Sequence, residues 1–211
     1  MKESGIEWIG EIPENWDVRL IKNIGIYRNG LTYEPQDQVD ENEGVLVLRS
    51  SNVQNGKLDF SSTVFVSCNI PKQLMVQKGD ILICSRNGSR ELIGKNAIID
   101  SNISASFGAF MMIFRCKCPK YMYYVLNSNV FSFYLNTFLT TTINQLTGKN
   151  FGNMNVVYCP DAVEQAEIIS FLDRQCKGLD ELIGKKEQLI NMLESYKKSL
   201  IYEYVTGKKE V

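Results

Sequence analysis

Residues 161–205 read DAVEQAEIISFLDRQCKGLDELIGKKEQLINMLESYKKSLIYEYV. Counted in sevens, Ile169, Cys176, Ile183, Ile190, Lys197 and Tyr204 form one series. Leu172, Leu179, Lys186, Leu193 and Leu200 form the other. The alternation of three and four is the a/d spacing of a coiled-coil seam, held for about five heptads. Leu182, Leu189 and Tyr196 widen the stripe at g, while Asp173, Asp180, Glu187 and Glu194 make the e row acidic. At ~1.5 Å per residue such a helix is roughly 65 Å long. It cannot bury its apolar face on itself, so the spacing predicts a partner helix. Asp161, with Glu164 three residues on, reads as the start, and Gly207 as the stop. Lys186 and Lys197 interrupt the seam. They set register or orientation, or they snorkel to solvent or face another subunit.

Outward from the helix, 211 residues at 44% hydrophobic allow one moderate globular core besides it. Net charge is -1 and the pI about 5.7, so bulk basicity does not announce a nucleic-acid binder. The average hides a gradient. Residues 1–43 hold four Lys/Arg against ten Asp/Glu, and residues 44–120 hold ten against four. One electropositive face, or a mixed surface, fits this. Cys68, Cys84, Cys116, Cys118, Cys159 and Cys176 form no metal pattern, and there is no histidine. They read as reduced structural thiols. The longest apolar run, Phe107 to Phe114, is too short to span a bilayer, and the N-terminus lacks a signal-peptide core. A cytoplasmic protein is expected.

In chain order, Trp8 and Trp16 flank Ile12-Pro13-Glu14, which predicts an irregular strap with two aromatic anchors. Residues 18–26 are weakly periodic. Residues 44–48 predict a buried strand, and Asn55-Gly56 a tight hairpin with returning strands at 57–60 and 63–66. Further strands are expected at 79–84, 96–99, 109–115 and 156–159. Tyr121, Tyr124, Val125, Phe131, Tyr134, Leu135 and Phe138 recur at three and four, which predicts one amphipathic helix from Pro119, its aromatics in the core. Residues 139–155 are polar. The expected fold class is α+β: a mixed globular domain over residues 1–160, then a long C-terminal coiled-coil helix over 161–211.

The residues do not assemble a catalytic pattern. The usual general base is missing with histidine, Gly94-Lys95 lacks the phosphate-loop spacing, and Pro160-Asp161 with Glu164 lacks a nuclease's Glu-x-Lys. No metal or cofactor is expected in this chain, and no enzymatic activity. Polar loops remain: Arg49-Ser50-Ser51-Asn52, then Ser85-Arg86-Asn87-Gly88-Ser89-Arg90 with Lys95, and Thr141 through Asn150. Arg suits guanine, Asn and Gln suit adenine, and Ser, Thr and Lys serve phosphates. Ordinary turn chemistry explains the same residues. On the DNA reading the candidates are Arg49, Ser50, Asn52, Ser85, Arg86, Asn87, Ser89, Arg90, Lys95, Gln145, Lys149 and Asn150. For the helix seam they are Ile169, Leu172, Cys176, Leu179, Ile183, Ile190, Leu193 and Leu200.

Several stretches together resemble the specificity (S) subunits of type I restriction–modification systems. They are Trp8 through Trp16, Leu48 through Gly56, Gly79-Asp80-Ile81-Leu82-Ile83, Thr142 through Thr147, Glu164 through Asp173, and Leu200 through Gly207. One departure is Pro160-Asp161-Ala162, where the family usually has Pro-Pro and an apolar residue. The other is length: the family usually carries two target-recognition domains and two long helices, and this chain is similar to one of each. The resemblance implies a non-catalytic subunit that reads half of a bipartite, gapped site in double-stranded DNA. It also implies antiparallel pairing of helices as a spacer. Modification (M) subunits would hold S-adenosylmethionine, and restriction (R) subunits would use ATP and Mg. A half-length form would pair with a second copy of itself. The alternatives are a stand-alone DNA-binding regulator dimer and a non-reading scaffold or competitor for M subunits.

Overall fold

Ile81–Cys84 is four apolar residues in a row, and all four are 0% exposed in the computed structural model, which describes residues 1–138 and 144–210. A run without polar alternation needs cover on both faces. Its neighbours are Asn96–Ile98 and Met111–Cys116, with Gly25–Asn29 beyond the latter, all antiparallel. Leu82, Cys84, Ala97, Met111 and Ile113 enter a core shared with Leu48, Val53, Ile99, Ala105 and Phe107. By the two-residue period of a strand, Ile81, Ile83, Met112 and Phe114 take the other face. There Phe114 meets Phe151 edge-on at 5.5 Å, and Phe151 meets Tyr27 at 5.7 Å and Phe131 at 6.3 Å.

A second four-stranded sheet runs Ala105–Phe107, Val45–Leu48, Phe65–Val66, Gln38–Val39. Its first pair is parallel, Leu48 facing Phe107, and the others are antiparallel. The predicted hairpin is present: Val53–Gln54 pairs with Lys57–Leu58 across Asn55 (φ 50°) and Gly56 (φ 72°). Both turn residues thus take the positive φ that such a two-residue connection needs. Only Lys57–Leu58 returns on that hairpin; Phe65–Val66 returns on Val45–Leu46 instead. Asp17–Leu20 pairs with Asn155–Tyr158, joining the start of the domain to its end.

The α-helices among the described residues are, in chain order, α1 (Pro119–Leu126), α2 (Asn129–Phe138), α3 (Gly148–Gly152) and α4 (Ala162–Val205). The expected single helix from Pro119 is therefore two. Asn127 Nδ2 donates to the Tyr123 carbonyl at 2.7 Å and to Asn96 Oδ1 at 2.9 Å, and Ser128 Oγ donates to the Val125 carbonyl at 2.7 Å. Short polar side chains here compete for helix backbone groups and end α1. The strap 1–17 is also more regular than expected. Lys2–Glu3 pairs with Glu11–Ile12, and Trp8 packs on Phe133 at 4.6 Å. Thr140, Thr141, Thr142 and Ile143, part of the polar stretch after α2, lie outside the described residues.

The chain divides into two compact units, Met1–Ala162 and Val163–Val211. The first holds the sheets and α1–α3, and the second is made of α4 and its tail. α4 is 44 residues long and ends at Val205; beyond it Gly207 takes a positive φ (68°) and the Lys208 amide donates to the Glu203 carbonyl at 2.8 Å. Along it Leu179, Ile183, Ile190 and Leu193 are 58, 55, 54 and 57% exposed. Leu182, Leu189 and Tyr196 are exposed as well. Ile169, Leu172, Cys176 and Leu200 are half-buried. No helix among the described residues is long and apolar enough to cross a membrane.

One ion pair braces the central sheet. Asp80, 1% exposed, accepts Arg115 Nε at 2.6 Å, Arg115 Nη2 at 2.7 Å and the Gln77 amide at 2.8 Å. The bond to Asp80 raises the Arg115 pKa above its ordinary value. Arg115→Ala would strand the buried carboxylate. The expected loss in urea unfolding is about 2–3 kcal/mol, below that of a fully buried pair because the Arg115 side chain keeps 32% of its surface in water.

Candidate nucleic-acid interface

Strand register gathers four loops at one end of the sheets. Leu48 faces Phe107, Cys84 faces Met111 and Asn29 faces Met112. The segments that follow Leu48, Cys84 and Asn29, and the turn between Phe107 and Met111, are therefore neighbours. They enclose an open cleft of about 1170 Å3 with Arg49, Ser50, Arg86, Asn87, Phe110 and Gln145 in its lining. Among its described lining residues there are two arginines and no carboxylate. In a chain of net charge -1 this is a local positive site.

The turn that carries Phe110 is the fixed point. The Phe110 carbonyl accepts the Ser85 amide at 2.9 Å and the Arg86 amide at 3.0 Å. The Gly108 amide donates to the Leu48 carbonyl at 2.9 Å, and the Met111 amide to the Gly108 carbonyl at 2.8 Å. Gly30 lies against it, and a Cβ there would run into the carbonyl oxygens of Gly108 and Phe107. The Phe110 ring itself is 57% exposed. The Arg86 guanidinium lies over it, 5.2 Å from the centroid, in cation–π geometry. Gln145 sits opposite Arg86 in an antiparallel bridge, and the adjacent Leu146 amide donates to the Ser85 carbonyl at 2.7 Å.

The structure brings five of the twelve sequence candidates into the cleft lining: Arg49, Ser50, Arg86, Asn87 and Gln145. Two others, Asn52 and Ser85, are interior groups. Asn52 is 0% exposed; its Nδ2 donates to the carbonyls of Asp59 and Ser62, both at 2.8 Å, and its Oδ1 accepts the Arg49 amide at 2.9 Å. It ties the loop together because an amide of that length bridges two chain segments at once. Ser85 is 4% exposed. Lys95 donates through Nζ to the Val53 carbonyl at 3.0 Å. Ser89, Arg90, Lys149 and Asn150 are not among the lining residues. Arg90 Nη2 reaches the Asn136 carbonyl at 3.5 Å, and the Asn150 amide donates to Thr147 Oγ1, which caps α3. The predicted loop's residues 141–143 lie outside the described residues.

Within the lining, hydrogen bonds separate framework from open groups. Asn87 is spent: Nδ2 donates to Ser50 Oγ at 3.0 Å, and Oδ1 accepts the Ser89 amide at 3.0 Å. Arg49 Nη2 reaches Ser62 Oγ at 3.4 Å, and its Nε is buried without a hydrogen-bond partner among the described residues. Sequence reasoning missed Phe110, Tyr33 and Gln38, all in the lining, while Asn144, also there, belongs to the predicted loop Thr141 through Asn150. Phe110 was read into a strand from Ala109. The signal against that is the preceding Gly108-Ala109, a small-residue break between two apolar runs. Among the described residues no cluster of His, Cys, Asp and Glu could hold a metal ion. Burial pushes the Cys116 thiol up to about 11, so it is protonated at neutral pH.

A family model described as type I restriction modification DNA specificity domain matches residues 13–192. The chain is similar to the EcoKI type I restriction enzyme specificity subunit of Escherichia coli (strain K12), 26% identical over 206 residues, covering 94% of this chain and 44% of that protein. It is 27% identical to the StySPI specificity subunit of Salmonella potsdam, with coverage of 94% and 44%. The chain thus spans less than half the length of these curated relatives. Among solved structures, one concerned with assembly and conformational transition of the type I R-M system superposes with a TM-score of 0.72 at 16% identity, over 92% of this chain and 46% of that one. The HsdS subunit from Thermoanaerobacter tengcongensis gives 0.63 at 15% identity, over 82% and 40%. At these identities the likeness to the two structures is one of fold.

Framework and open groups should separate in thermal or urea unfolding. Asn52→Ala removes three side-chain hydrogen bonds to part-buried backbone groups and empties a buried position, and is expected to cost about 2–3 kcal/mol. Arg86→Ala and Gln145→Ala remove open side chains and are expected to stay within about 0.5 kcal/mol of the parent.

Proposed function

The chain belongs to the type I restriction–modification DNA specificity family, and on that premise we propose that it is a non-catalytic subunit reading one half of a bipartite, gapped site in double-stranded DNA. We assign residues 1–160 to DNA reading and residues 161–211 to spacing and dimerisation. The observation that carries the reading is the cleft: two arginines, open polar side chains and no described carboxylate, on loops held by a rigid sheet. Arg and amide side chains match the donor and acceptor edges of the major groove, and a positive site attracts the phosphate backbone. Loops on a rigid scaffold are where binding groups are held in fixed geometry.

The exposed seam of α4 supports pairing with the helix of a second copy, running antiparallel, which puts one reading domain at each end. Two-fold symmetry then makes the target an interrupted palindrome, with the helix pair as the ruler between half-sites. Methyl transfer from S-adenosylmethionine falls to M subunits, and ATP- and Mg-dependent cleavage to R subunits.

Co-expression with modification subunits, followed by co-purification and sequencing of methylated genomic sites, tests this. The expected result is a stable complex and one gapped motif with symmetric halves. Tight specific binding to DNA without M subunits would point to a regulator instead. Co-purification without any methylated motif would point to a competitor.

Pairing has its own test. The parent chain is expected to sediment as a dimer at micromolar concentration. Leu179→Ser, Ile183→Ser and Leu193→Ser together remove three apolar seam residues and are expected to give a monomer. A parent that sediments as a monomer would refute the pairing.

A further inference from the structure

We propose that Arg86 and Gln145 are the base-reading pair of this domain, addressing a guanine and an adenine in neighbouring base pairs, with Phe110 as the shelf that aims Arg86. The inference rests on the DNA-reading function above and names which bases the cleft takes.

Three observations carry it. The first is which donors are open. Asn52 and Asn87 have both ends of their amides engaged, and Lys95 donates to the Val53 carbonyl and is not among the lining residues. Arg86 and Gln145 line the same cleft, and their side chains have no hydrogen-bond partner among the described residues. The second is aim. Arg86 is held at its amide by the Phe110 carbonyl, 3.0 Å away, and at its guanidinium by the Phe110 ring, 5.2 Å from the centroid. A guanidinium held over a ring by its charge does not spend its N–H donors there, which leaves them for a bidentate contact to guanine O6 and N7. The turn beneath that ring is locked by the close approach of Gly30.

The third observation is spacing. Residues opposite one another in an antiparallel bridge project to the same side, with Cβ atoms about 5 Å apart. Arg86 and Gln145 are such a pair. Successive bases on a strand lie about 3.4 Å apart. Two long side chains from adjacent roots therefore reach adjacent steps. The Gln145 amide presents one donor and one acceptor, the pair that adenine N7 and N6 complement.

The experiment maps methylated sites in cells carrying the M subunits with the parent chain, Arg86→Lys, Gln145→Ala or Phe110→Ala. Arg86→Lys keeps the charge and loses the fork, so methylation should persist while guanine preference falls about ten- to a hundredfold at the same single position of each half-site. Gln145→Ala should relax preference for adenine at the adjoining position. Phe110→Ala should relax the same position as Arg86→Lys, which a purely structural role for the ring would not select. Unchanged motif positions report that the domain is folded. If the parent methylates a defined motif and the variants leave it intact, or relax separated positions, the reading pair is wrong and the DNA-reading function stands. If the parent methylates no motif, the function itself fails.

Discussion

The Phe110 carbonyl receives two amides, those of Ser85 and Arg86, and the candidate interface hangs on that junction. It joins the end of a fully buried strand, Ile81–Cys84, to the turn before Met111–Cys116. Both strands are locked by apolar packing on two faces, so the junction inherits their rigidity. A polar loop leaving such a strand must find partners for its backbone at once. Here it finds them in a turn that also supplies an exposed ring. The same bonds that satisfy the backbone therefore orient Arg86 and set Gln145 beside it.

A second constraint acts on α4. Its apolar stripe is uncovered over Leu179, Ile183, Ile190 and Leu193, and the flanking Leu182, Leu189 and Tyr196 add to it. Most helical stability in proteins comes from packing an amphipathic face, and a long helix with a bare seam lacks that contribution. A second apolar helix face laid on that stripe would supply it.

Much of the fold was legible in particular residues. Asn55-Gly56 specified its turn because few dipeptides tolerate two positive φ values. Ile81–Cys84 stood out because an unbroken apolar run has few other uses. The failures were equally local. Asn127 and Ser128 ended α1 by bonding carbonyls that periodicity alone assigned to a continuing helix, and Ala105–Phe107 escaped notice because three residues carry too little pattern. At the interface, residue type could not tell Asn52 from Gln145. Both are amides in polar loops, yet one braces the loop interior and the other is open. Only partners in space distinguish them.

The sequence by itself determined the helical seam, the α+β character of the domain and the polar loops after apolar strands, because these follow from period and composition over short windows. It determined the family resemblance for the same reason, since order and spacing of such stretches survive along a chain. The tertiary structure decided which candidates share a cleft. That depends on pairings between residues far apart in sequence, such as Leu48 with Phe107 and Cys84 with Met111. It also decided which polar side chains remain unspent, since each hydrogen bond consumed in the framework is one unavailable to a ligand.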